Sequence, residues 1–169
     1  MSEWKGSGMR RLSTMGLGIV VASVLAGCSG DDPAAKALFE PCAGVGEQAL
    51  TQAGVDPASR VPAGSAETGW QTCAWNGASA SLRVYSARQS LEEFEAEAGP
   101  GNFYDITVAG RAGRKLVDSA SLTTACDVVF GAEQGVVRMI VVTNPGQPAP
   151  DACATLTRMG EAVVPALPA

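Results

Sequence analysis

Beyond residue 37 the apolar positions fall into short periodic runs, broken by glycine, proline and acidic residues. Glu40-Pro41-Cys42 opens helical material, with proline tolerated in a first turn, and Gly44 and Gly46 interrupt it. Glu47–Ala53 then predicts a short helix stopped by Gly54 and Pro57, and residues 56–69 read as loop. Residues 70–75 and 81–86 alternate as strands around Asn76-Gly77, a pair that supplies positive φ to a tight hairpin turn. Ser90-x-x-Glu93 is a capping box, and Leu91, Phe94 and Ala98 share one face of the helix it starts, which ends at Gly99-Pro100. Strands follow at 104–108 and 114–117 around a turn at 109–113, then at 126–130 and 136–143 around Gly131–Gly135. The last of these is apolar on both faces except at Arg138, the pattern of a central strand. Asp151 caps a final helix, with Ala154, Leu156, Met159, Ala162 and Val163 at roughly helical spacing. Hairpin turns imply antiparallel pairing. The expectation is a single α+β domain over residues 38–169, with about five to six antiparallel strands and helices mainly on one face.

The first 27 residues carry a different pattern. Lys5, Arg10 and Arg11 precede an uncharged apolar run over 15–26, about 12 residues against the roughly 20 a membrane span needs. Leu25-Ala26-Gly27-Cys28 closes the run, and 1–27 reads as an export leader with Cys28 the expected lipidation site. Residues 28–37 then form a lipidated polar tether. Without the leader, nine basic residues face sixteen acidic ones, a net charge of −7. An anionic leaflet repels that charge, so lipid has to supply the attachment, and two or more acyl chains anchor stably where one does not. The expected location is the extracytoplasmic face of the cell membrane.

Five cysteines in an exported chain become an even set once Cys28 is acylated. Cys42, Cys73, Cys126 and Cys153 allow three connectivities, and Cys42–Cys73 with Cys126–Cys153 joins segments that neighbour each other in sequence. A four-cysteine metal site lacks any C-x-x-C spacing, so no metal is expected.

Read together, the Leu25–Cys28 box, Glu40-Pro41-Cys42, Cys73-Ala74-Trp75, Cys126-Asp127-Val128-Val129 and the Cys153-Ala154 of the last helix resemble a family of uncharacterised actinobacterial lipoproteins. That family is known only as a domain of unknown function. The resemblance covers nearly the whole chain after the leader and implies a lipid-anchored domain with two disulfides and no established activity. Glu40 stands where the family more often has Asp, and Ala43-Gly44-Val45-Gly46 is richer in glycine than its first helix.

The chemistry open to the chain is narrow. It contains no histidine, which removes His-dependent triads, His metal sites and imidazole pH switching. Past the leader only Lys36 and Lys115 remain as bases for a Ser–Lys enzyme, and neither sits in Ser-x-x-Lys spacing. Glu92, Glu93, Glu95 and Glu97 read as a solvated helix face. The acidic balance, with a pI near 4.7, argues against nucleic acid. Arg111, Arg114 and Lys115 cluster at one turn and form a candidate contact for a lipid phosphate or acidic glycan. A second candidate is the sheet face turned away from the helices. If Cys73, Trp75, Leu82 and Val84 point inward, alternation places Trp70, Thr72, Arg83 and Tyr85 outward. Phe130 opposite Gly135 would set Asp127 against Arg138. Trp, Tyr and Arg dominate binding hot spots. The expected function is therefore a non-catalytic binding or accessory lipoprotein of the cell envelope, with no cofactor. Its expected partners are the membrane, through the anchor, and an envelope protein or glycolipid; its oligomeric state is not legible. The alternatives are a carrier for a hydrophobic molecule, which needs an apolar cavity, and a hydrolase, which needs a buried carboxylate pair in a cleft.

Overall fold

The computed structural model describes residues 37–63, 69–117, 124–144 and 151–169. The leader, Cys28 and all of the tether but Ala37 lie outside the described residues. No helix among those described is long and apolar enough to cross a membrane. The described residues form four α-helices: α1 (Pro41–Gly44), α2 (Glu47–Ala53), α3 (Leu91–Ala98) and α4 (Ala152–Val163). Among the same residues seven strands run as β1 (Val61–Ala63), β2 (Trp70–Asn76), β3 (Ala80–Ala87), β4 (Phe103–Val108), β5 (Arg111–Leu116), β6 (Ala125–Ala132) and β7 (Gly135–Thr143). They form one antiparallel sheet in the order β1-β2-β3-β7-β6-β5-β4, so the class is α+β.

The apolar run of β7 sits at the centre of that order, between β3 and β6. One face carries Cys73, Trp75, Leu82, Val84, Met139 and Val141, all buried, and packs against α1, α2 and α4. The other face carries a smaller apolar cluster, Ala87, Phe103, Val129 and Val136, closed by Phe94 of α3. Helices thus lie mainly, but not only, on one side.

Cys42–Cys73 ties α1 to β2, and Cys126–Cys153 ties β6 to α4. The bridges span 31 and 27 residues, and loop-closure entropy assigns each about 3.5 kcal/mol.

Four details depart from the sequence reading. The strand count is seven because β1 lies in the stretch read as loop. It is three residues long and contains Pro62, which has no N–H to donate and is tolerated only at a sheet edge. The β2–β3 hairpin pairs Asn76 with Ser81, so its turn lies beyond Asn76 and Gly77 has no positive φ. Glycine is required there by close approach instead: a Cβ would stand 2.4 Å from the Gly54 carbonyl oxygen. The β4–β5 and β6–β7 turns are tighter than expected, at Ala109-Gly110 and Glu133-Gln134, since Val108 pairs with Arg111 and Ala132 with Gly135. Finally, α4 buries Ala152, Thr155, Leu156, Met159, Gly160 and Val163, leaving Ala154 exposed and Ala162 half-buried. Small residues let the helix press onto the sheet; a Cβ on Gly160 would come 2.3 Å from Val108.

Candidate functional site

Strand register places the expected binding residues in adjacent rows across the sheet. One row runs Ala74, Arg83, Ile140, Asp127, Leu116 and Phe103 from β2 to β4. The next runs Thr72, Tyr85, Arg138, Val129, Arg114 and Asp105. Period-two alternation therefore puts Trp70, Arg83, Tyr85, Asp127 and Arg138 on one face, away from α1, α2 and α4.

The face is not open along its length. Ser90 accepts a hydrogen bond from the Glu93 amide while the Glu93 carboxylate accepts one from the Ser90 amide, and this capping box starts α3 across one end of the sheet. Trp70 meets Tyr85 and Phe94 edge-on, with centroids 6.1 and 6.0 Å apart, and Phe94 meets Phe103 at 5.9 Å. Trp70 and Tyr85 are half-buried in this aromatic train, whereas Arg83 is exposed beside it. Trp70 consequently packs against α3 and Tyr85 packs against Trp70, so the two do not form an uncovered aromatic surface.

Asp127 and Arg138 do pair, by a different register. Arg138 stands opposite Val129 and Asp127 opposite Ile140, so the two meet on the diagonal. The Arg138 Nε–H donates to both carboxylate oxygens at 2.9 and 3.0 Å, and Nη2 donates to Oδ2. The guanidinium also lies 5.7 Å from the Tyr85 ring centroid and 5.6 Å from that of Phe94. Burial lowers the Arg138 pKa, but hydrogen bonding and charge from Asp127 outweigh it and hold the pKa above its ordinary value.

This pair borders a depression of about 370 Å³, lined also by Leu116, Ala125, Ile140 and Lys115. An apolar floor flanked by both charges can seat an amphiphilic group and orient its polar end.

The basic turn is arranged otherwise than the sequence suggested. Arg114 donates to Glu95 of α3 at 2.7 Å and to Asp105 of β4, so its charge is already matched. Arg111 donates to the Gly131 carbonyl and lies 5.1 Å from the Phe130 ring centroid, and burial lowers its pKa. Lys115 lies over Tyr104. The three cations do not converge. On α3, Glu92, Glu93 and Glu97 are exposed as expected, while Glu95 is drawn in by Arg114.

A larger depression, of about 610 Å³, lies between α1, α2 and the 56–60 segment. Its floor includes Cys42, Val45, Leu50 and Trp75, and its rim carries Glu47, Asp56 and Arg60, all exposed. Trp75 is fully buried, and its indole Nε1–H has no hydrogen-bond partner among the described residues. The sequence offered no site here, because Asp56 and Arg60 of the rim lie in the 56–69 stretch that reads as loop. The Asx turn in which Asp56 accepts from the Ala58 amide at 2.9 Å was the available clue. Among the described residues no three His, Cys, Asp or Glu side chains gather as a metal site requires.

A family model described as "Protein of unknown function (DUF3558)" matches residues 22–166. No curated protein and no solved structure matches the chain.

Proposed function

We propose that this chain, which belongs to the DUF3558 family, is a lipid-anchored, extracytoplasmic lipoprotein that binds a component of the cell envelope without transforming it. The observation that carries the reading is the 370 Å³ depression beside α3 on this sheet face. The Asp127–Arg138 pair and Ile140 line it, and exposed Arg83 stands opposite Ile140 on β3. Fixed charges on a rigid sheet, beside apolar surface, suit recognition, and a preformed ion pair adds directionality without reactive chemistry. The lack of histidine supports a non-catalytic role. The export leader and the Leu25–Cys28 box support the anchor, and the bridges support an oxidising compartment, since they account for the four cysteines other than Cys28. The charged linings of both depressions favour binding of a polar or amphiphilic partner over carriage of a wholly apolar one.

Site-specific photocrosslinking on the membrane-bound protein tests the reading. A photoreactive residue replacing Arg83 is expected to capture a discrete envelope component, while one replacing the exposed Arg158 on α4 is not. Equal capture from both positions, or none from position 83, contradicts it.

A further inference from the structure

We propose that the 610 Å³ depression between α1, α2 and the 56–60 segment is a second binding site, for a neutral polyhydroxylated ligand of the saccharide class. Its volume falls within the range of small-ligand sites, roughly 300–1,000 Å³. The ligand class follows from the balance of donors and acceptors. Glu47 and Asp56 present carboxylates, which only accept; one Asp56 oxygen holds the Ala58 amide. Arg60 presents a guanidinium, which only donates, and its Nη1 reaches the Cys42 carbonyl at 3.3 Å, fixing it at the mouth. Trp75 lies in the floor, and its buried indole N–H has no acceptor among the described residues.

An anionic ligand would face two carboxylates, and an ammonium ligand would offer no acceptor to Arg60 or to the indole N–H. A purely apolar ligand would desolvate all three charged groups and leave the indole N–H unmet. Hydroxyl groups donate and accept at once, so a ring bearing several of them satisfies both carboxylates, the guanidinium and the indole together. Its C–H faces match the apolar floor of Val45, Leu50 and Cys42. The site lies on the side of the sheet opposite Arg83, so it stands or falls separately from the reading above.

The test uses the full chain, disulfides intact, ¹⁵N-labelled at tryptophan and held in a sugar-free detergent. The sequence has three tryptophans, Trp4, Trp70 and Trp75, so at most three indole N–H resonances arise, and Trp75→Phe assigns the one of interest. Maltose and diacetylchitobiose serve as free sugar probes, phosphate and spermidine as charged ones. Phosphatidylcholine vesicles with and without a glycosyl diacylglycerol test a lipid headgroup. The expected result is a saturable shift of the Trp75 resonance, with Trp70 unmoved, on adding free sugar at millimolar concentration or glycolipid vesicles. The arm that responds identifies the source. Calorimetry on Trp75→Phe is expected to show affinity weakened about fivefold, the worth of one net hydrogen bond. Arg60→Gln, a change at an exposed side chain, is expected to do likewise and serves if Trp75→Phe does not fold. An unmoved Trp75 resonance with every sugar probe, or a stronger response to phosphate or spermidine, overturns the proposal.

Discussion

Replacing Arg138 by Met separates what the Asp127–Arg138 pair does for the fold from what it offers a partner. The side chains are 26% and 14% exposed, so the pair is neither a surface bridge of negligible worth nor fully desolvated. Met keeps much of the aliphatic volume but removes three hydrogen bonds and both ring contacts, and it leaves the Asp127 carboxylate without that guanidinium. Breaking a fully buried ion pair costs about 3–5 kcal/mol, and partial exposure reduces that, so the expected loss is about 2–3 kcal/mol. For a domain of this size that lowers Tm by roughly 6–12 °C. The double variant Asp127→Leu/Arg138→Met removes both charges together. It is expected to be less destabilised than Arg138→Met alone, giving a coupling of about 1–2 kcal/mol across the cycle. Urea and thermal melts of the four proteins, disulfides intact, measure it. Single variants within about 0.5 kcal/mol of the parent, or effects that simply add, would refute the structural role assigned to the pair.

Two further outcomes test the second apolar cluster and the helix that closes it. Phe94→Ala removes the ring shared by Trp70, Phe103 and Arg138 and is expected to cost about 3–4 kcal/mol in urea unfolding; a loss below 1 kcal/mol would mean that α3 is not held by this contact. The Glu93 carboxyl is held below its ordinary pKa of 4.5 by hydrogen bonds from the Ser90 amide and then the Ser90 hydroxyl. A depressed folded-state pKa contributes stability that is present above 4.5 and lost as pH falls through the lower, folded value. Any Tm advantage of the parent over Glu93→Gln should therefore hold at neutral pH and shrink in acid, and one that grows in acid would contradict the capping geometry.

Where local chemistry decides the structure, the sequence was informative. Ser90 and Glu93 satisfy each other's amides within one turn, and Gly54 ends α2 in the left-handed region at φ 83°, so these helices were legible from a few residues. The two bridges and the inward alternation of Cys73, Trp75, Leu82 and Val84 were legible for the same reason. What escaped depends on residues distant in the chain. Gly77 serves Gly54 rather than its own turn, and the diagonal pairing of Asp127 with Arg138 depends on a register shifted by two positions. A shift by two keeps side chains on the same face, which is why the face was right though the opposing residues were not. The cover over Trp70 and Tyr85 was hidden because alternation says which side a residue takes but not whether a helix crosses that side.

Mass analysis of the chain recovered from the membrane fraction decides whether the lipid anchor is there. The expected result is an N-terminal fragment that begins at Cys28 and carries a diacylglyceryl thioether, with loss of membrane association in Cys28→Ala. An unmodified Cys28 with the 27-residue leader still attached, or unchanged membrane association in Cys28→Ala, would contradict it.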